Sequence, residues 1–173
     1  MNTPKLVCII GAESTGKTTL AQTLAAQFNC PWVPEHLREF CESRGRTPTQ
    51  HEQLLILETQ VINEMAAQQR HARYVFCDTA PLLTAIYSDY VFGDLSLYPR
   101  ARTLHSRYAL TLFLQPDIEW QADGMQRDGA HVRWPITRLI ERELAVINAP
   151  IVCVGGQGDA RVQAATRAIR RVN

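Results

Sequence analysis

A chain of 173 residues, 46% of them hydrophobic, can enclose a full core and is expected to form one domain over 1–173. A net charge of +1 argues against a general nucleic-acid or membrane-surface binder. No apolar run reaches the length of a membrane span, and none of the five cysteines forms a CxxC pair. Spanning helices, zinc ribbons and disulfide scaffolds are therefore not expected.

The first six-residue element, Lys5–Ile10, is almost wholly apolar, as a strand covered on both faces should be. It begins so early that a signal peptide has no room, so the expected location is cytoplasmic. Next comes Gly11-Ala-Glu-Ser-Thr-Gly-Lys-Thr18, the pattern GxxxxGK[ST], and then an Ala/Leu-rich helical segment. Strand, glycine turn and helix in that order form a phosphate-binding loop. The backbone N–H groups of Gly11, Ala12, Glu13, Ser14, Thr15 and Gly16, with the helix start at Lys17, Thr18 and Thr19, are expected to cradle a nucleotide's phosphates. Lys17 can reach the β- and γ-phosphates, and Thr18 offers its hydroxyl to Mg²⁺. The expected ligands are ATP or GTP with magnesium.

Leu20, Leu24 and Phe28 recur at helical spacing and predict a helix to Phe28. A short second strand over 31–34 ends just before Glu35. Ligands of open parallel sheets lie beyond the carboxyl ends of the strands, so Glu35 and the following Arg38 are candidates for the reacting site. A dipole-favoured acid and a solvated charge are equally good accounts of the pair. Thr47, Pro48 and Gln50 read as a capping box opening a helix to about residue 69. Leu54, Leu57, Val61 and Met65 mark its apolar stripe, with no chemistry expected. The strand over 73–77 finishes at Asp78, a carboxylate placed to hold magnesium through water or to take a proton. Pro81 opens a further helix, and another covers about 99–108.

The fourth strand, 109–114, runs into a long polar segment with Trp120, Asp123, Gly124, Arg127 and Gly129. Its length predicts a lid over about 118–133. Arg127 could offset charge on a transferring phosphoryl group, and Trp120 could stack on a flat ring or simply pack. A helix over 135–148 and a strand over 150–154 follow. After Gly155-Gly156-Gln157-Gly158, Asp159 reads as the N-cap of the last helix. Cys8, Cys77 and Cys153 fall in strands expected to be buried. Strands alternate with helices throughout, which predicts a three-layer α/β domain on a five-stranded parallel sheet, with helices on both faces.

Four local matches occur together: the loop 11–18, Glu35-His-Leu-Arg-Glu39, Cys77-Asp-Thr79, and Trp120-Gln-Ala-Asp-Gly124 with Arg127. On these the chain resembles the NadR-like ribosylnicotinamide kinases, a family of P-loop kinases. The resemblance implies sheet order 2-3-1-4-5 and transfer of the ATP γ-phosphate to the 5′-hydroxyl of nicotinamide riboside. It implies Lys17, Glu35, Asp78 and Arg127 as catalytic, and Glu35, Arg38, Trp120 and Asp123 at the acceptor. Thr18 and Asp78 are implied at magnesium, and Gly156 and Gly158 beside the adenine. NadR-type proteins carry a nucleotidyltransferase domain ahead of the kinase, whereas this sequence opens at the kinase's first strand. The expectation is therefore a kinase alone.

Either Glu35 or Asp78 could serve as the base, with Glu35 favoured. The segment after Asp78 reads Thr-Ala-Pro-Leu-Leu-Thr84, where NadR-type kinases usually show a second acid. The acceptor therefore stays open among nicotinamide riboside, another nucleoside, a nucleotide or a sugar. A nucleotide-dependent switch that hydrolyses ATP slowly is the reading of another class. The expected partner is a small nucleoside-type acceptor, with homo-oligomerisation left open.

Overall fold

The computed structural model describes residues 3–122 and 129–172. Five strands, β1 (Lys5–Ile10), β2 (Trp32–Val33), β3 (Tyr74–Asp78), β4 (Tyr108–Leu114) and β5 (Ile151–Val154), form one sheet in the order β2-β3-β1-β4-β5. Every neighbouring pair is parallel, with Cys8 opposite Cys77 and Val7 opposite Leu110. Among the described residues seven α-helices surround it: α1 (Lys17–Phe28), α2 (His36–Arg44), α3 (Gln53–Ala67), α4 (Pro81–Phe92), α5 (Tyr98–His105), α6 (Arg133–Val146) and α7 (Gly158–Arg170).

The period-two geometry of the strands separates two cores. Leu6, Cys8 and Ile10 of β1, with Val75 and Cys77 of β3, face Leu57, Leu83, Ile86 and Ile136 on one side. Val7, Ile9, Tyr74 and Phe76 face the other side, against Leu20, Leu24 and Ile169 of α1 and α7. This is the three-layer α/β fold that the alternation of strands and helices predicts, with the sheet order 2-3-1-4-5 that the resemblance implies. None of the described helices is long and apolar enough to cross a membrane.

Several local expectations need correction. The capping box is made by Thr49 and Glu52, not Thr47 and Gln50, and it opens a short 3-10 turn ahead of α3. On α3, Leu54 and Met65 are exposed, while Gln53, Gln60 and Glu64 are buried beside Leu57 and Val61. The helix turns a polar edge inward because those groups find partners there. Tyr108 Oη donates to Glu64 Oε1 at 2.7 Å, Arg107 pairs with the same carboxylate, and the His36 N–H donates to Gln60 Oε1 at 2.9 Å. Burial alone would make Glu64 costly, and these hydrogen bonds offset that. Asp159 lies in the first turn of α7, whose N-cap position is Gln157. Cys153 is exposed, because β5 is an edge strand with β4 as its one neighbour.

Candidate active site

The loop between β1 and α1 closes on itself. Thr15 Oγ1 donates to the Ala12 carbonyl at 2.8 Å, and Lys17 Nζ donates to the same oxygen at 3.0 Å. Gly11 has no substitute here: a Cβ would stand 2.7 Å from Thr15 Oγ1 and 3.1 Å from the Leu114 carbonyl oxygen. Gly16 occupies the N-cap position of α1 at φ +80°, where a side chain would be strained. Ser14 takes φ +54° without being glycine. It is held there from both sides, since the Gln121 N–H donates to its Oγ at 2.8 Å and Arg133 Nη2 donates to its carbonyl at 3.0 Å. Such strain persists where the surroundings over-determine the backbone.

Asp78 ends β3 directly beside this loop. Thr18 Oγ1 donates to its Oδ2 at 2.6 Å. Burial pushes the Asp78 carboxyl above the usual range, and the Thr18 hydrogen bond and the charges of Lys17 and Arg38 pull it back. Its Oδ1 is buried and has no hydrogen-bond partner among the described residues. A hydroxyl beside a carboxylate with one oxygen unpartnered suits a magnesium ion held by phosphate oxygens, Thr18 and water. No cluster of three His, Cys, Asp or Glu side chains occurs among the described residues.

A buried arginine, which sequence reasoning did not single out, braces the loop from behind. Arg161 of α7 is 5% exposed. Its guanidinium donates to the carbonyls of Thr15, Gln115 (3.1 Å) and Gly156 (2.7 Å), and it pairs with Asp117. Asp117 Oδ2 in turn accepts the Gly156 N–H at 2.6 Å. Arg133, also buried, sits near enough to Arg161 that burial and this like charge both lower its affinity for its proton. One sequence signal existed. A cation in the first turn of a helix opposes the macrodipole and asks for an acidic partner. That partner, Asp117, lies 44 residues away in sequence and no local pattern names it.

Two cavities open at this end of the sheet. The larger, about 610 Å³, is walled by Ser14, Thr15, Gly16, Lys17, Thr18 and Thr19 with Ile118, Gln121 and Gln157. The smaller, about 230 Å³, lies between α2 and α4, where Leu37, Leu83, Tyr87, Val91 and Phe92 make an apolar wall; Glu13, Thr47 and Gln53 are polar points on it. Lys17, Glu35 and Arg38 line both. Glu35 stands at the N-cap position of α2 (φ −65°, ψ 115°), yet its side chain does not cap the helix.

The other expected residues fall as follows. Gly11 and Ala12 are buried at the back of the loop. The Gly156 N–H is engaged by Asp117, and Gly158 is the first residue of α7. The half-buried Trp120 is outside the described walls of both cavities, and its Nε1 is buried with no hydrogen-bond partner among the described residues. Asp123 and Arg127 lie outside the described residues. Sequence reading did not single out Leu83 and Tyr87, on the helix that Pro81 opens, as cavity wall. The signal was there in α4, whose buried residues include Pro81, Leu82, Leu83, Thr84, Ala85 and Ile86 and so go right round the helix. A surface helix needs only one such stripe.

Fold and loop define the class: a P-loop nucleotide-binding protein with a kinase-like architecture. The family model described as AAA domain matches residues 6–161, and the chain belongs to that family. Among solved structures it is similar to the NadR protein in complex with NR, at 25% identity and TM-score 0.86. That match covers 98% of this chain and 52% of the other. It also resembles NadR in complex with NAD and AMP-PNP in fold, at 23% identity and TM-score 0.82, covering 98% and 49%. The chain therefore spans about half the length of these NadR structures. Deoxyadenosine kinase from M. mycoides with bound dATP shares the fold at 12% identity and TM-score 0.68, covering 96% and 99%. So does thymidylate kinase from Candida albicans, at 17% and 0.60, covering 99% and 92%. The likeness to NadR-type P-loop kinases read from the motifs is borne out.

Proposed function

We propose that this chain is an ATP-dependent, magnesium-requiring kinase that phosphorylates the 5′-hydroxyl of a nucleoside, with nicotinamide riboside as the leading acceptor and nicotinamide mononucleotide as product. One observation carries the reading. Two cavities of different chemistry meet at Lys17, Glu35 and Arg38, so a phosphate tail in one and a hydroxyl in the other would face each other there. The likeness to a NadR protein in complex with NR supports this acceptor.

In this mechanism the loop N–H groups and the α1 N-terminus hold the ATP phosphates. Lys17 leaves the Ala12 carbonyl and follows the γ-phosphoryl group. The acceptor oxygen forms its bond to the γ-phosphorus while the bond to the bridging oxygen of ADP breaks. The hydroxyl proton passes to Glu35, or to Asp78 if Glu35 only orients. Thr18, with Asp78 through water, would hold Mg²⁺, which supplies charge neutralisation at the phosphates. Arg38 binds the acceptor, and Arg127 is assigned the remaining charge on the γ-group. The adenine is assigned to the side of Gln157. The reading includes one kinase domain over 1–173 and action in the cytoplasm.

ADP release measured across nicotinamide riboside, cytidine, adenosine, thymidine and simple sugars tests it. Acceptor-dependent turnover is expected, highest with nicotinamide riboside. ATP hydrolysis indifferent to every acceptor would instead make the chain a nucleotide-dependent switch.

A further inference from the structure

The third residue of the phosphate loop points away from the phosphates. Ser14, Thr15, Gly16, Lys17, Thr18 and Thr19 all line the larger cavity, whereas Glu13 lines only the smaller one. The turn at Ser14, with its positive φ, lies just where the loop passes from one cavity to the other. Glu13 is 7% exposed, and its carboxylate faces a chamber that it shares with Lys17, Glu35, Arg38 and an apolar wall. A carboxylate can accept from several donors at once, so Glu13 can keep its protein partners and still accept from a ligand there.

The position says which donors. Lys17 and Glu35 mark the junction of the cavities, where the reacting hydroxyl belongs. Leu83, Tyr87, Val91 and Phe92 form the apolar wall suited to a flat base. Glu13, next to the junction through the loop itself, falls beside the part of a nucleoside between reacting hydroxyl and base. That part is the sugar, and its vicinal hydroxyls are two O–H donors matched to the two oxygens of one carboxylate.

We propose that Glu13 is the sugar-binding residue of the acceptor site, accepting hydrogen bonds from the 2′- and 3′-hydroxyls of a riboside. The loop that wraps the donor's phosphates would thereby also select the acceptor. The inference rests on the kinase reading and adds a substrate class to it: ribosides over their deoxy counterparts.

The test compares kcat/KM for nicotinamide riboside, cytidine and adenosine with that for the matching 2′- and 3′-deoxynucleosides, in the wild type, Glu13→Gln and Glu13→Ala. The wild type should prefer ribosides by roughly tenfold or more, since a site built to bind a hydroxyl rejects the analogue lacking it. Glu13→Ala should bring the ratio to about unity by raising the riboside KM, with ATP affinity within about twofold of wild type. Glu13→Gln, nearly the same size, should fall between and guards against misfolding of the alanine variant. A purely structural Glu13, or one paired only with neighbouring cations, would slow ribosides and deoxynucleosides alike and leave the ratio unchanged. That result, a wild type indifferent to the sugar hydroxyls, or an equal loss of ATP binding would overturn the proposal while leaving the kinase reading intact. Absence of any nucleoside turnover in the wild type would remove both.

Discussion

The larger cavity is built around residues 14–19 of the phosphate loop and α1, and side chains hold that loop's backbone in place. Gly11 and Gly16 permit the curve, Thr15 and Lys17 close it, and Arg161 and Arg133 hold the Thr15 and Ser14 carbonyls from behind. The smaller cavity lies between two helices, with Leu37 and Cys41 of α2 on one side and Leu83, Tyr87 and Val91 of α4 on the other. The two constructions suit two tasks. A phosphate tail is the same in every nucleoside triphosphate and can be met by invariant amide groups. An acceptor differs from one kinase to the next and is met by side chains, which can change without disturbing the chain path.

Substitutions on each side should separate these roles. Lys17→Ala should have the largest effect, lowering turnover about 10³-fold through loss of a charge aimed at the moving phosphoryl group. Circular dichroism should show the fold intact, and near-normal turnover would deny Lys17 that task. Glu35→Gln should lower kcat about 10²-fold, the size of a lost general base, with nucleotide affinity unchanged. If only the acceptor KM rises, Glu35 belongs to binding, and Asp78 becomes the base.

Arg161→Met removes the brace but keeps the packing. Breaking the pair should cost about 2 kcal/mol in urea unfolding, below the range for fully buried pairs because the Asp117 side chain is 41% exposed. ATP should bind more weakly, with acceptor KM little altered. An unchanged urea midpoint would show the brace to be dispensable. Tyr87→Ala should be mildest, raising acceptor KM about tenfold, or some 1.4 kcal/mol of binding, while ATP affinity stays put. A matching loss in ATP affinity would mean that the two cavities are not independent.

The same division governs what the amino-acid sequence discloses by itself. The loop 11–18, Asp78 and the alternation of strands and helices are legible because they follow from strictly local rules: glycine at a curve, apolar strands, an acid where a strand stops; the sheet order comes only through the family resemblance. Glu35 is legible as a position, though not as a wall shared by two cavities. Arg161 and Gln60 are not legible, because each serves a backbone group brought near only by the completed sheet. The buried face of α3 misleads for a related reason. Glu64 there is met by Tyr108 and Arg107 and Gln60 Oε1 by the His36 amide, and hydropathy patterns cannot anticipate such partners. The wall of the smaller cavity is hidden inside an ordinary-looking run of core residues on α4.

The contacts of Arg161 carry a mechanical consequence. One guanidinium ties together the loops that follow β1, β4 and β5, so those three strand ends should respond to ligand as a single rigid block. Movement on ligand binding is expected instead at α2, whose contacts include the small cluster of Phe40, Cys41, Ile56 and Leu37 and the amide oxygen of Gln60. Hydrogen exchange should accordingly be faster across His36–Arg44 than in β1 and β4, and addition of acceptor should slow it there first.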